Sequence, residues 1–195
     1  MKALITGASS GIGKEMAKIL SHKGYDLILV ARRKKRLEEL KKELPTKVKI
    51  ITLDISSTFN CMKLYDKVKK EDIDIIINNA GFGLLGEFSE TNIDKELDMI
   101  DTNIKAVHIL TKLFLQDMVE VNRGHIMNVA SIAGFMPGPL MATYYSTKAY
   151  VVRLTQSIRQ ELFMKHSKVK ISALCPGPVN TNFNKVANVK FHLRE

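Results

Sequence analysis

Two tyrosines stand side by side in ATYYSTKAY, residues 142–150, with a lysine shortly after them. Tyr144 and Lys148 are spaced i, i+4, and Tyr145 and Lys148 are spaced i, i+3. Both spacings put phenol and ammonium on one face of a helix, so geometry alone leaves both tyrosines eligible. The chemistry such a pair offers is proton transfer. A free phenol has a pKa of about 10 and is a poor base at neutral pH. A nearby ammonium, together with the positive ring of an oxidised cofactor, favours the phenolate and is expected to bring that pKa down, towards the range where an acid or base works best. Interconverting a carbonyl and an alcohol needs such a group for the proton on oxygen, and a cofactor for the hydride on carbon.

A second stretch with chemical content is TGASSGIG, residues 6–13. Gly7, Gly11 and Gly13 let the backbone turn tightly and approach a ligand, with Ser9, Ser10 and Ile12 between them. The helix that opens there offers free N–H groups to a phosphate. NAD-binding domains usually place an acid at the end of the second strand, to hold the ribose 2′-OH. This chain has ARRKKR, residues 31–36, at that place. Arg32 and Arg33 suit a 2′-phosphate, since a guanidinium binds phosphate in bidentate fashion. NADP(H) is therefore expected over NAD(H).

The elements that must position these groups follow from the apolar pattern. KALIT (2–6), DLILVA (26–31), KVKIITLD (47–54), DIDIIINN (72–79), GHIMNVAS (124–131) and VKISALCP (169–176) read as strands. Near-continuous apolar runs without alternation fit strands buried on both faces of a parallel sheet. Helical patterns lie between them, including a long one over about 92–120 and another over 144–163. The expected fold is α/β, a Rossmann-type doubly wound parallel sheet with helices on both faces, forming a single domain over 1–195. Ligands of such sheets bind beyond the carboxyl ends of the strands, where both motifs fall.

The composition narrows the classes. The chain has 195 residues, is 45% hydrophobic and carries a net charge of +10. That suits one domain with a core large enough to need no disulfide or metal. Its lysines are spread at helical spacings as a solvated face, so no nucleic-acid partner is expected. Cys61 and Cys175 lie far apart without metal-ligand spacing, and the five histidines form no paired set, so no metal is expected. No stretch has the length of a membrane span, and MKALITGAS is too short for a signal peptide. A cytoplasmic protein without a membrane partner is the expectation.

The motifs taken together resemble the short-chain dehydrogenase/reductase family, and in NNAGFGLLGEF and CPGPVNT a bacterial, NADP-using branch of it. The resemblance rests on TGASSGIG, LD at 53–54, NNAG at 78–81, Asn103 in DTNIKAV, Ser131 in NVAS, YYSTK at 144–148 and PGPVNT at 176–181. The family's Tyr-x-x-x-Lys falls on Tyr144 and Lys148, and its serine, 13 positions before the tyrosine, on Ser131. Tyr145 matches no catalytic position. The resemblance implies that Ser131 holds the substrate oxygen and that Lys148 also reaches the ribose. It further implies that Asn103 anchors a water linking the lysine to solvent. Asp54 would lie near the adenine, and Asn79, Ala80 and Gly81 would line the cofactor. Pro176 and Gly177 would also bind the cofactor, and Val179 and Thr181 would hold its nicotinamide end.

Members of the family continue past this point with a lid, another helix and a seventh strand, whereas this chain ends at Glu195. The lid and final strand are thus expected to be missing, with NKVANVKFHLRE as the start of the lid. The apolar loop GFMPGPLMA, residues 134–142, points to a hydrophobic carbonyl or secondary alcohol as the small-molecule substrate. The resemblance also implies a homodimer or homotetramer, paired through the helices near 95–120 and 144–165. The alternative function is a dinucleotide-binding regulator or scaffold without turnover.

Overall fold

The computed structural model describes residues 1–179; Thr181 and the segment NKVANVKFHLRE lie outside them. The apolar runs become β1 (Lys2–Thr6), β2 (Asp26–Ala31), β3 (Val48–Thr52), β4 (Ile75–Asn78), β5 (His125–Val129) and β6 (Lys170–Leu174). Between them run α1 (Gly11–His22), α2 (Lys34–Glu43), α3 (Thr58–Val68), α4 (Ile93–Ile100), α5 (Val107–Glu120) and α6 (Ala142–Met164). The long helical stretch near 92–120 is α4 and α5 joined by a π-helical turn, Asp101–Ala106. Such turns are rare and often sit at functional sites. Asn103 lies in this one, almost fully buried.

All strand pairs are parallel, in the order β3-β2-β1-β4-β5-β6. The chain leaves β1 in one direction and returns at β4 to continue in the other. The crevice where the order reverses therefore lies between β1 and β4, which is where open α/β sheets bind ligands. Alternate strand residues face opposite layers. Leu4, Ile28, Ile76 and Ile126 pack with Cys61 and Leu64 of α3 and with Leu110 and Phe114 of α5. Ala3, Ile5, Leu27 and Ile77 pack with Ala17 of α1 and with Leu37 and Leu40 of α2. The sheet is thus apolar on both faces, which is why the strands read as unbroken apolar runs.

Beneath the crevice the core becomes polar. Asn78 Nδ2 donates to Asn128 Oδ1 at 2.9 Å and to Thr111 Oγ1 at 3.1 Å, and Asn128 Nδ2 donates to Thr155 Oγ1 at 3.0 Å. This buried set ties β4 and β5 to α5 and α6. It fixes α6, which carries Tyr144 and Lys148, and α5, which follows the turn that carries Asn103, against the two strands that open into the crevice.

Candidate active site

A cleft of about 560 Å³ lies along the carboxyl ends of the strands. At one end is the glycine-rich turn. Gly7 and Gly11 have φ of 66° and 55°, the left-handed region that glycine adopts without strain. A Cβ on Gly7 would stand 2.8 Å from Ala80 Cα, and one on Gly13 would stand 2.4 Å from Asn79 Nδ2. The turn and the NNAG stretch therefore lie in backbone contact. They are clamped there by Thr6, whose Oγ1 accepts from the N–H groups of Asn79 (3.0 Å) and Ala80 (3.1 Å). Gly7, Ser9, Ser10, Gly11 and Ile12 line the cleft, as do Asn79, Ala80 and Gly81. Gly13 does not line it; it seats α1 against Asn79 behind the turn.

Arg33 crosses from β2 to the turn. Its Nη2 donates to Ser9 Oγ at 2.9 Å and to Ser10 Oγ at 2.8 Å. The Ser10 hydroxyl makes no cap bond to α1, so the N–H groups of the first turn are left to a ligand. Burial first, and then the like charges of Arg36 and Arg32, push the Arg33 guanidinium's pKa down. Arg32 Nη1 stands 3.5 Å from Asp54 Oδ2. A carboxylate from beyond the end of β3 thus lies beside the arginines that follow β2. Burial opposes its ionisation, yet the Ser56 N–H and hydroxyl and Arg32 hold the Asp54 carboxyl below its ordinary value.

At the other end, Ser131, Tyr144 and Lys148 line the cleft together, with Pro176, Gly177 and Val179 beside them. Ser131 Oγ accepts from Ala133 N at 3.1 Å. Lys148 Nζ donates to Val129 O at 2.9 Å and lies 5.7 Å from the Tyr144 ring centroid. Asn103 is close but not in the lining. It clasps Phe82 through both amide atoms, accepting from its N–H at 3.1 Å and donating to its C=O at 2.9 Å. It also stands behind Gly81, where a Cβ would come within 2.9 Å of its Oδ1 and 3.5 Å of Lys148 Nζ.

A family model described as short chain dehydrogenase matches residues 1–190. The chain belongs to the short-chain dehydrogenase family. An uncharacterized oxidoreductase of Staphylococcus epidermidis is 36% identical over 181 residues, covering 92% of this chain and 78% of its own. The NADP-dependent 3-hydroxy acid dehydrogenase of Schizosaccharomyces pombe is 38% identical over 200 residues, covering 97% and 74%. Among solved structures, a short-chain dehydrogenase from Sphingobium yanoikuyae in complex with NADPH superposes with a TM-score of 0.92 at 31% identity, over 100% of this chain and 78% of that one. A Burkholderia phymatum member in complex with NAD gives 0.90 at 28%, over 100% and 72%.

Two features of this short-chain dehydrogenase depart from what the sequence suggests. The first is the phenol. Burial pushes the Tyr144 pKa up rather than down; its hydrogen bond with Ser131 opposes that, and Tyr145 adds to it. The lysine expected to lower it is itself fully buried, and burial pushes its ammonium down to about 8. The second is Tyr145, which also lines the cleft and packs edge-on against Tyr144 at 6.1 Å between centroids. Met141, from the loop expected to face the substrate, lines the cleft. Thr6, Phe82, Asp98 and Thr102 were given no role from the sequence and also belong to the site. Only Thr6 had a signal, as the residue between strand and first glycine.

Proposed function

We propose that the chain is an NADP(H)-dependent oxidoreductase that interconverts a carbonyl and a secondary alcohol, with Tyr144 as the proton donor. The observation that carries this is the meeting of Ser131, Tyr144 and Lys148 at one end of a cleft whose other end is the glycine-rich turn. The cleft fits a dinucleotide: backbone lies bare where a Cβ would clash, and the N–H groups of α1 face the phosphate position. When bound, the cofactor supplies the hydride.

The protein's own groups do the rest. Ser131 Oγ accepts from Ala133 N and donates to Pro176 O at 3.4 Å; that long bond is readily exchanged for one to a substrate oxygen, which strengthens as charge develops there. Tyr144, kept protonated by burial, delivers its proton to that oxygen. For the reverse direction the phenol must ionise, and positive charge placed beside it favours that. Lys148 is held by the Val129 carbonyl, which leaves it other N–H groups for ribose hydroxyls. Asn103, set by the π-helical turn and its clasp on Phe82, is the residue for a water path behind the lysine.

NADP is favoured because Arg33, held by two serine hydroxyls, and Arg32 make a like-charged cluster that a phosphate relieves. The Arg32–Asp54 pair is exposed and is a weak competitor. Replacing both arginines by alanine is expected to raise KM for NADPH at least tenfold, about the effect of losing 1.4 kcal/mol or more of binding, with little change for NADH. Equal losses for both cofactors in steady-state assays would remove the preference. The loop facing Tyr145 exposes Phe135, Met136 and Leu140, which suits a hydrophobic substrate. The outer faces of α5 and α6 are proposed to pair two copies. Light scattering at micromolar concentration should then give a dimer or a tetramer, and a monomer alone would refute the pairing. The reading as a whole is tested by following NADPH oxidation over a panel of aldehydes and ketones; tight NADPH binding without turnover would leave a regulator instead.

A further inference from the structure

Glu96 is an acidic side chain, 7% exposed, in the middle of α4. Its neighbours Lys95, Leu97 and Asp98 are exposed, so the burial is particular to this position. Its two oxygens have separate partners. Oε1 accepts from the Thr91 hydroxyl, and Oε2 accepts from the Thr143 hydroxyl at 3.2 Å. Burying a carboxyl group costs free energy that an apolar side chain would not, so packing gives no reason for it here.

The partners give one. Thr143 is the second residue of α6 and the one before Tyr144. That helix starts after Met141, which makes no side-chain cap bond. The helix that carries Tyr144 and Lys148 therefore has no cap of its own. Glu96 sets an acidic group beside its first turn, where the helix dipole favours one. Thr91 belongs to the segment that follows NNAG. Gly86 N of the same segment donates to Leu140 O at 2.8 Å, just before α6. Three residues on from Glu96, Met99 packs against Tyr144 itself.

We propose that Glu96 is a positioning residue: through Thr143 it fixes the first turn of α6, and through Thr91 the loop facing it, so that the Tyr144 hydroxyl is held where Ser131 and a substrate oxygen meet. The proposal rests on the reading of Tyr144 as proton donor. Loss of the tether lets the phenol drift, and small misplacements of a reacting group cost turnover steeply.

The test uses the full chain with Glu96→Leu, Glu96→Gln, Thr143→Val and the Glu96→Leu/Thr143→Val pair. Glu96→Leu is expected to lower kcat about ten- to a hundredfold while NADPH Kd, from fluorescence titration, stays within about twofold. Glu96→Gln, which keeps an acceptor for a threonine hydroxyl, should recover most of the loss. The pair should be no slower than Glu96→Leu alone, because both changes cut one tether. Hydrogen exchange over the first turn of α6 should quicken in Glu96→Leu, a readout that needs no turnover. Unchanged exchange, wild-type kcat in Glu96→Leu, or fully multiplying losses in the pair would each overturn the proposal. If Glu96→Leu does not fold, Thr143→Val decides: a several-fold lower kcat at unchanged NADPH Kd supports the tether, and a wild-type kcat refutes it. Wild-type turnover in Tyr144→Phe alongside faster exchange in Glu96→Leu would instead sink the proton-donor reading and leave the tether standing.

Discussion

Tyr144→Phe is expected to lower kcat by about two to four orders of magnitude, the usual worth of a general acid, with NADPH affinity retained. The change removes one hydroxyl and almost no volume. The ring is 8% exposed and packs against Met99 and Ala133, so it has no reason to move. Ser131 would still bind the substrate oxygen, which is why KM should change far less than kcat. Tyr145→Phe is the matched control. Its phenol lines the same cleft, yet it is the other tyrosine that shares a hydrogen bond with Ser131. A loss within about threefold is expected there, because no proton passes through it. If Tyr145→Phe were the silent enzyme and Tyr144→Phe the active one, the proton would travel through the wrong residue for everything proposed above. Steady-state kinetics on one accepted ketone would decide.

That choice between the twin tyrosines shows where the sequence stops. Helical spacing allowed both, and both do reach the cleft. Only the family's register separated them, and the Ser131 hydrogen bond agrees with it. The strands were legible because a parallel sheet buried on both faces demands unbroken apolar runs; β1 and β2 fall on the residues expected, and β3 to β6 are shorter by a few residues at their ends. The π-helical turn was not legible, since one wide turn barely disturbs a helical pattern. Contacts between distant segments were not legible either. Asp54 reaches Arg32 from the loop beyond β3, and Thr6 clasps the NNAG backbone across β1 and β4. Glu96 sits among exposed charges in the sequence, and only folding shows its carboxyl turned inward. The upward shift of the phenol's pKa in the chain by itself was not legible for the same reason. Sequence displays the ammonium, but the desolvation that outweighs it depends on how deeply both groups are buried.

Lys148→Met is expected to give a protein that is more stable at neutral pH than the parent and catalytically dead. The lysine's pKa falls from 10.5 to about 8 on folding because burial disfavours the ammonium. Between those two values the unfolded chain holds more protons than the folded one, so wild-type stability rises with pH across that window. Below it, the charged lysine is a standing cost of about 3 kcal/mol. Methionine fills the same space without the charge, and its thioether tolerates an irregular cavity. Against that, the Val129 carbonyl loses its partner, which costs about 1–2 kcal/mol. The balance leaves the variant ahead by about 1–2 kcal/mol near pH 7, and its lead should shrink and reverse as pH rises past the window. Urea unfolding of both proteins across that pH range, each carrying Cys175→Ser because that thiol interacts with Lys148, measures the difference, and groups that do not interact with the lysine cancel in it. Turnover should vanish in the same variant, since the ammonium beside the phenol, proposed above to hold the ribose, is gone. A variant less stable than wild type at neutral pH, by a margin that does not change up to about pH 10, would show that the ammonium carries no such cost.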